Sequence, residues 1–311
     1  MLSFLTQPNY PKAAIGIEKE SVTALSLQRE GRGVFGVKQA ATVELPANLL
    51  NPNFLEENIT NPKELAVMLE EAVTSAGLMR QKNWSVSLPS SAARTAILTL
   101  ENSGSGKDES EEILDWKAEQ SFGAPASELR ITRQKIAPDR EGRPRYFASA
   151  VKLSVIDEYE TLFENFGWKA GLILPRVVSE ARWITADSKS ADSLLISGQT
   201  DGFSAILMRS GEPAVIRSVT CLPTERDDEI YRLLMFYNDR FAADSSDQFL
   251  DRILLVGKGL VPAKIREIGS EVFDRALQIL SPNEVGLNLP GNALTFDEIA
   301  APAGLAALGW R

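Results

Sequence analysis

Two stretches of this sequence repeat the same three-strand pattern, and this repeat restricts the fold more than any other feature. Each copy consists of a strand, a polar turn, a second strand, a glycine-containing turn, a third strand and a Leu-Pro pair, at residues 13–46 and 193–223. A solenoid repeats many times at a short period, whereas a unit found once in each half of a chain is typical of a duplicated α/β domain. We therefore predict two related lobes.

The composition argues against a nucleic-acid partner and a membrane-spanning segment. The 311 residues are 44% apolar and 24% charged, which is ordinary for a globular protein with two modest lobes. The net charge is -9 and no basic cluster occurs, whereas phosphate backbones are bound mainly by clustered Lys and Arg. No run approaches the roughly 18 apolar residues of a membrane span. We therefore expect a soluble cytoplasmic protein.

The residue types that support much of enzyme chemistry are scarce. The chain has no histidine, which removes imidazole bases, Ser-His-Asp triads and histidine metal sites. Cys221 is the single thiol, so a disulfide framework and a cysteine-rich metal centre are both excluded. Its place in the apolar run 219–222 favours a small buried hydrophobic residue over a nucleophile. We predict neither catalytic nor metal-ligating residues.

The segment between the two repeats predicts an inserted subdomain. An amphipathic helix capped by Asn61 and a further strand follow the first repeat and complete a β-β-β-α-β unit. The next segment has two helices and several strands, enough to bury a small core of its own. The predicted domains are a first lobe at 11–93, completed by 175–190 and a C-terminal helix at 296–310, an inserted α/β subdomain at 94–174, and a second lobe at 191–295.

Two local motifs and the order of the parts point to a known family. The acidic helix at 111–120, EEILDWKAEQ, is similar to a Trp-x-Ala-Glu-Gln helix of the PilM family, and residues 148–167 are similar to the strand and helix of that family's inserted subdomain. The chain thus resembles the actin-like (ribonuclease H-like) α/β fold, and most closely the PilM family of type IV pilus assembly proteins, relatives of the division protein FtsA. In relatives a subdomain called 2B follows the second repeat. Here Pro223 leads almost directly into a helix at Asp227, which predicts a reduced or missing 2B.

The resemblance implies that two polar turns bracket a nucleotide, each with an Asp followed two positions later by Gly. The Gly lets backbone N–H groups approach the phosphates, and the Asp positions Mg²⁺. The first turn of this chain contains Gly16, Glu18, Glu20 and Ser21, so that Glu18 replaces the Asp and Glu20 replaces the Gly. A carboxylate about 4 Å from a phosphate oxygen would cost roughly 4 kcal/mol at an effective dielectric near 20. We interpret Glu18 and Glu20 as a solvated turn.

The other two turns of the candidate site are also altered. The second keeps Gly198, followed by Gln199 and Thr200, but Ile196 stands where the Asp is expected. The third, Gly257-Lys258-Gly259, resembles the family's glycine-rich turn under the adenosine, and a tight strand-to-helix turn is an equally good interpretation. We predict no cofactor and expect the site to be empty or only weakly occupied by ATP and Mg²⁺.

Three functions remain open. The first is a PilM-like scaffold of a type IV pilus or related platform, held at the inner membrane by a partner. By resemblance this partner is the N-terminal cytoplasmic tail of a PilN-like protein, bound as an extended peptide between the first lobe and the inserted subdomain. The second is an ATPase or small-molecule kinase, in which Glu18 replaces the Asp and Thr200 or Gln199 orders the attacking group. The third is a domain similar to the type II secretion protein GspL, whose family normally continues into a membrane span. Self-association is also left open.

Overall fold

The structure is a computed structural model that describes residues 9–101, 107–185, 192–242, 249–291 and 294–310. The strands are β1 (Ala13–Ile17), β2 (Ser21–Arg29), β3 (Phe35–Glu44), β4 (Asn83–Leu88), β5 (Arg94–Thr99), β6 (Leu129–Ile136), β7 (Arg145–Lys152), β8 (Lys169–Pro175), β9 (Asp192–Gln199), β10 (Gly202–Arg209), β11 (Glu212–Thr220), β12 (Leu250–Gly257), β13 (Gln278–Ile279) and β14 (Leu287–Asn288). The helices are α1 (Pro62–Ser75), α2 (Lys107–Phe122), α3 (Leu153–Asn165), α4 (Arg176–Glu180), α5 (Arg182–Thr185), α6 (Arg226–Tyr237), α7 (Pro262–Phe273) and α8 (Phe296–Leu308).

The chain forms two compact units, each assembled from separate segments. The first contains residues up to 93, residues 152–179 and the chain from 286 onwards; the second contains 94–151 and 180–285. The predicted division into two lobes and an inserted subdomain stays a prediction. Strand β8 pairs in parallel with β4, and β14 pairs in parallel with β3, so both strands belong to the first unit. Such long-range pairings at the edges of a sheet leave little trace in the local sequence.

The first unit is built on a six-stranded mixed sheet in the order β14-β3-β2-β1-β4-β8. Its centre is the predicted three-strand repeat, in which β1, β2 and β3 form an antiparallel meander. Helix α8 packs on β1, β2 and β4, and nine of its residues are buried. Most of these residues are small, which allows the close approach. Helix α1 begins as predicted, since the side chain of Asn61 accepts a hydrogen bond from the Glu64 amide at 3.3 Å.

The second unit contains the second copy of the repeat and most of the predicted insertion. Strands β9, β10 and β11 form the equivalent antiparallel meander within a five-stranded sheet, ordered β11-β10-β9-β12-β13. A separate three-stranded sheet has the order β5-β7-β6. Only residues 221–225 connect β11 to α6, so no 2B-like subdomain lies between them, as predicted. The helical segment after β8 is interrupted between Glu180 and Arg182 and forms α4 and α5.

Candidate functional site

The first predicted turn is a tight hairpin between β1 and β2. Ile17 and Val22 are the last paired residues of the two strands, and the Glu18 amide donates to the Ser21 carbonyl oxygen at 2.8 Å. Glu20 is exposed at the tip of this hairpin. Its carbonyl oxygen accepts a hydrogen bond from the Leu45 amide at 2.9 Å, which ties the turn to the end of β3. The turn is therefore a tight hairpin connection that is bonded within the first unit.

Gly16 of this turn is explained by packing inside the first unit. It lies in β1, where its backbone pairs with Thr23 on one side and Ser87 on the other. A Cβ atom at this position would come within 2.9 Å of Cγ of Pro302, which lies in helix α8. The glycine is thus required where the helix crosses the strand, and no phosphate is needed to explain it.

Glu18 is part of an ion pair, which corrects its interpretation as a solvated residue. Its Oε2 lies 3.0 Å from Nη1 of Arg176, and the side chains of Glu18 and Arg176 are 28% and 10% exposed. Arg176 is the first residue of α4, directly after β8. Nearby Tyr159 is buried, and burial raises its pKa well above the ordinary value, with smaller contributions from the carboxylates of Glu158 and Glu18. The negative charge of Glu18 is therefore balanced from within the protein.

The second and third predicted turns are brought together in the second unit. Gly198 at the end of β9 pairs with Gly257 at the end of β12, because the two strands are parallel neighbours. A Cβ atom on Gly198 would approach the carbonyl oxygen of Lys258 to 2.5 Å. Ile196, which replaces the expected Asp, is fully buried in the hydrophobic core. The glycine of the second turn is thus needed for contact with the third turn.

Sequence reasoning missed Arg226, the residue that joins these two turns. Its side chain is almost fully buried, and its Nη2 atom donates to the carbonyl oxygen of Gln199 at 2.6 Å and to that of Thr200 at 3.4 Å. Its Nη1 atom donates to the carbonyl oxygen of Lys258 at 3.2 Å. One signal was available, because Arg226 is the first residue of a helix whose positive dipole end disfavours a cation.

These turns do not fit the Mg²⁺-nucleotide that the fold family implies. A phosphate needs N–H donors, whereas Gln199, Thr200 and Lys258 direct carbonyl oxygens to the Arg226 guanidinium. The carboxylate at the position of the metal-positioning Asp, that of Glu18, is bonded to Arg176. Within the described residues, no group of three or more Cys, Asp or Glu side chains is arranged to hold a metal ion. We therefore derive no reaction step from these residues.

Comparisons with known proteins identify a fold. No protein-family model matches the chain, and neither does any curated protein sequence. A chain from a structure described as the PilM-PilN type IV pilus biogenesis complex superimposes with a TM-score of 0.75 at 15% identity, covering 98% of this chain and 100% of the other.

Two other solved structures match less well. The cytoplasmic domain of EpsL, an inner-membrane component of the type II secretion system of Vibrio cholerae, has 10% identity over 96% of this chain and 93% of that one, with a TM-score of 0.49. A Bacteroides thetaiotaomicron protein with an actin-like ATPase fold and unknown function has 13% identity over 96% and 98%, with a TM-score of 0.46.

Such identities establish the fold alone. The predicted resemblance to PilM is confirmed at that level. The two antiparallel three-strand repeats and the short β11-to-α6 connection are features that the sequence predicted. This chain therefore has the actin-like α/β fold, in a form like that of PilM.

Proposed function

We propose that this protein is a scaffold of the inner-membrane platform of a type IV pilus or a related secretion system. We further propose that it binds the N-terminal cytoplasmic tail of a PilN-like membrane protein. The observation that carries this proposal is the full-length likeness to a chain of the PilM-PilN complex, with a TM-score of 0.75 over 98% of the chain. The protein would then act in the cytoplasm and reach the membrane through its partner. Within the described residues, no helix has the length and apolarity needed to cross a bilayer.

A binding role agrees with the chemistry of the candidate site. Two arginines satisfy the polar groups of the turns internally, so these turns offer little to an ATP phosphate chain or to Mg²⁺. Peptide capture needs only a sheet edge or groove, because backbone hydrogen bonds provide affinity and side-chain pockets provide specificity. We accordingly propose that the protein is not an ATPase.

Each unit has a groove beside an edge strand that could take an extended peptide. In the first unit, a groove of about 400 Å³ follows β3 at residues 37–42, beyond the short pairing of β14 with Phe35 and Gly36. In the second unit, a groove of about 1260 Å³ lies between β5 and β11, two edge strands of different sheets. Its walls include Ile97 and Ala214, with Phe236 42% exposed beside them. We favour the second groove because an extended peptide needs the larger volume.

The proposal is tested by titrating the protein with a synthetic peptide of the tail from a PilN-like protein encoded beside it. Calorimetry is expected to give saturable binding, with no heat from a scrambled peptide of the same composition. Ala214→Arg should weaken binding by narrowing the groove between β5 and β11, whereas Ala40→Arg, in the smaller groove, serves as the matched control. Absence of binding to the native tail would contradict the partner assignment. Steady release of phosphate from Mg-ATP would contradict the assignment as a non-enzyme.

A further inference from the structure

We infer that Arg226 is a built-in occupant of the paired glycine turns, which closes them against a nucleotide and clamps the end of β9 to the end of β12. This inference deepens the proposed loss of nucleotide binding. It assigns that loss to Arg226 and gives the same residue a structural role, which is to link the ends of β9 and β12. Arg226 is the first residue of α6, and Asp227, Asp228 and Glu229 follow it in the helix.

The first step of the argument is the hydrogen-bond pattern. Three carbonyl oxygens on two different turns converge on one guanidinium group, those of Gln199, Thr200 and Lys258. A guanidinium offers five donors in a rigid fork and stays charged at every physiological pH, so it can serve several acceptors at once. The two turns are more than fifty residues apart in the sequence, yet a single side chain bonds both.

The second step is the use of space. Gly259 has a φ of +76°, in the left-handed region, and a Cβ atom there would lie 1.7 Å from Nη1 of Arg226. The room that this glycine leaves open is thus filled by the guanidinium. Gly198 is similarly occupied, because its Cβ position meets the carbonyl oxygen of Lys258. Both glycines are explained by the arginine and its acceptors.

The third step is charge. A phosphate group at these turns would meet three carbonyl oxygens, which are acceptors, and the two terminal nitrogens of the guanidinium, Nη1 and Nη2, already bond those oxygens. The three acidic residues that follow Arg226 occupy the first turn of α6 and repel an anion further. Carboxylates are favourable at the start of a helix, whereas the Arg226 cation opposes the helix dipole there. The hydrogen bonds of Nη1 and Nη2 therefore form without a bound ligand.

Hydrogen exchange measures the clamp directly. We would record amide exchange in the wild-type protein and in Arg226→Ala for peptides covering 198–202 and 257–260. Exchange is expected to rise by about tenfold or more in both peptides together, because the charged hydrogen bonds that hold them are lost. Arg232→Ala is the matched control, since Arg232 lies on the same helix, is exposed and pairs only locally with Glu229. It should leave both peptides unchanged.

Two further measurements keep the inference testable if Arg226→Ala fails to fold. Arg226→Lys keeps the charge but lacks the fork, and should also accelerate exchange in at least one of the two peptides. The melting temperature of the wild-type protein should not respond to Mg-ATP or Mg-ADP, although a ligand at about 100 times its Kd would stabilise a binding protein by about 2.7 kcal/mol.

The inference is overturned if wild-type protein shows a saturable nucleotide-induced shift, or if neither Arg226 variant accelerates exchange in the turns. Tail binding is measured in the same variants as a separate readout. If the Arg226 variants still bind the tail peptide and show unchanged amide exchange, the clamp is contradicted and the scaffold proposal is not. If the wild-type protein does not bind the tail peptide while exchange is faster in the Arg226 variants, the scaffold proposal is contradicted and the clamp is supported.

Discussion

The polar turns of the two repeats are each bonded to an arginine, but through different chemical groups. The first turn keeps a carboxylate, Glu18, and has it neutralised by Arg176. The second turn keeps its glycine, Gly198, and its backbone carbonyls are bonded to Arg226. Each arginine is the first residue of a helix that follows a strand of the same unit. A guanidinium group at the start of a helix can thus bond either a carboxylate or backbone carbonyl oxygens of a nearby turn.

The two arginines differ in the number of groups that they bond, because Arg226 bonds three carbonyl oxygens and Arg176 bonds the carboxylate of Glu18. The largest effect on stability is therefore expected at the second turn. Arg226→Ala should lower the free energy of unfolding by about 3 kcal/mol, because three carbonyl oxygens lose a charged donor in a buried place. Denaturant unfolding monitored by circular dichroism measures this loss. Arg232→Ala on the exposed side of the same helix should change stability by less than about 0.5 kcal/mol. Equal losses in the two variants would show that the turns do not depend on Arg226.

The glycines of the two turns can be compared by the same substitution. Gly198→Ala should cost about 2 to 3 kcal/mol, because its Cβ would press on the backbone carbonyl of Lys258 at 2.5 Å. Gly16→Ala should cost about 1 to 2 kcal/mol, since the ring of Pro302 at 2.9 Å can shift slightly with helix α8. Thermal unfolding of both variants checks the order. A larger loss for Gly16→Ala would reverse our view of which turn is packed more tightly.

The ion pair of the first turn should contribute less than the clamp of the second. Arg176→Met is expected to cost about 1 to 2 kcal/mol, because Glu18 would lose its charge partner but is still 28% exposed to water. Adding Glu18→Gln should recover part of this loss, since the unpaired charge is then removed. A double-mutant cycle from chemical denaturation gives the coupling energy. Strict additivity would mean that the two residues do not interact.

The smallest effect is expected at the tip of the first hairpin. Glu20 is exposed, and Glu20→Ala should change the free energy of unfolding by no more than about 0.5 kcal/mol. The Glu20 carbonyl oxygen, which accepts from the Leu45 amide, is untouched by this substitution. Chemical denaturation beside Glu18→Ala gives the matched comparison, since Glu18 is paired and Glu20 is exposed. A large loss for Glu20→Ala would identify a contact of its side chain that matters to the fold.

The fold could be predicted well because its signals are local. The repeat, the cap at Asn61 and the short connection after Pro223 can each be recognised within a few residues of the sequence, and each is present in the structure. The partners within the site could not be predicted, since Glu18 and Arg176 are 158 positions apart and Arg226 bonds residues 26 to 32 positions away. A sequence shows which side chains are charged, whereas the choice of partner follows from packing across the sheet.

The segmented layout of the first unit has a consequence for how the protein is made. Strand β14 and helix α8 come from the last part of the chain, and α8 packs against β1, β2 and β4. During synthesis, every segment of the second unit leaves the ribosome before α8 does, so the second unit can fold first. Until α8 is synthesised, the apolar faces of β1, β2 and β4 that it covers stay exposed. Nascent chains stalled before residue 296 should therefore engage chaperones through the unfinished first unit.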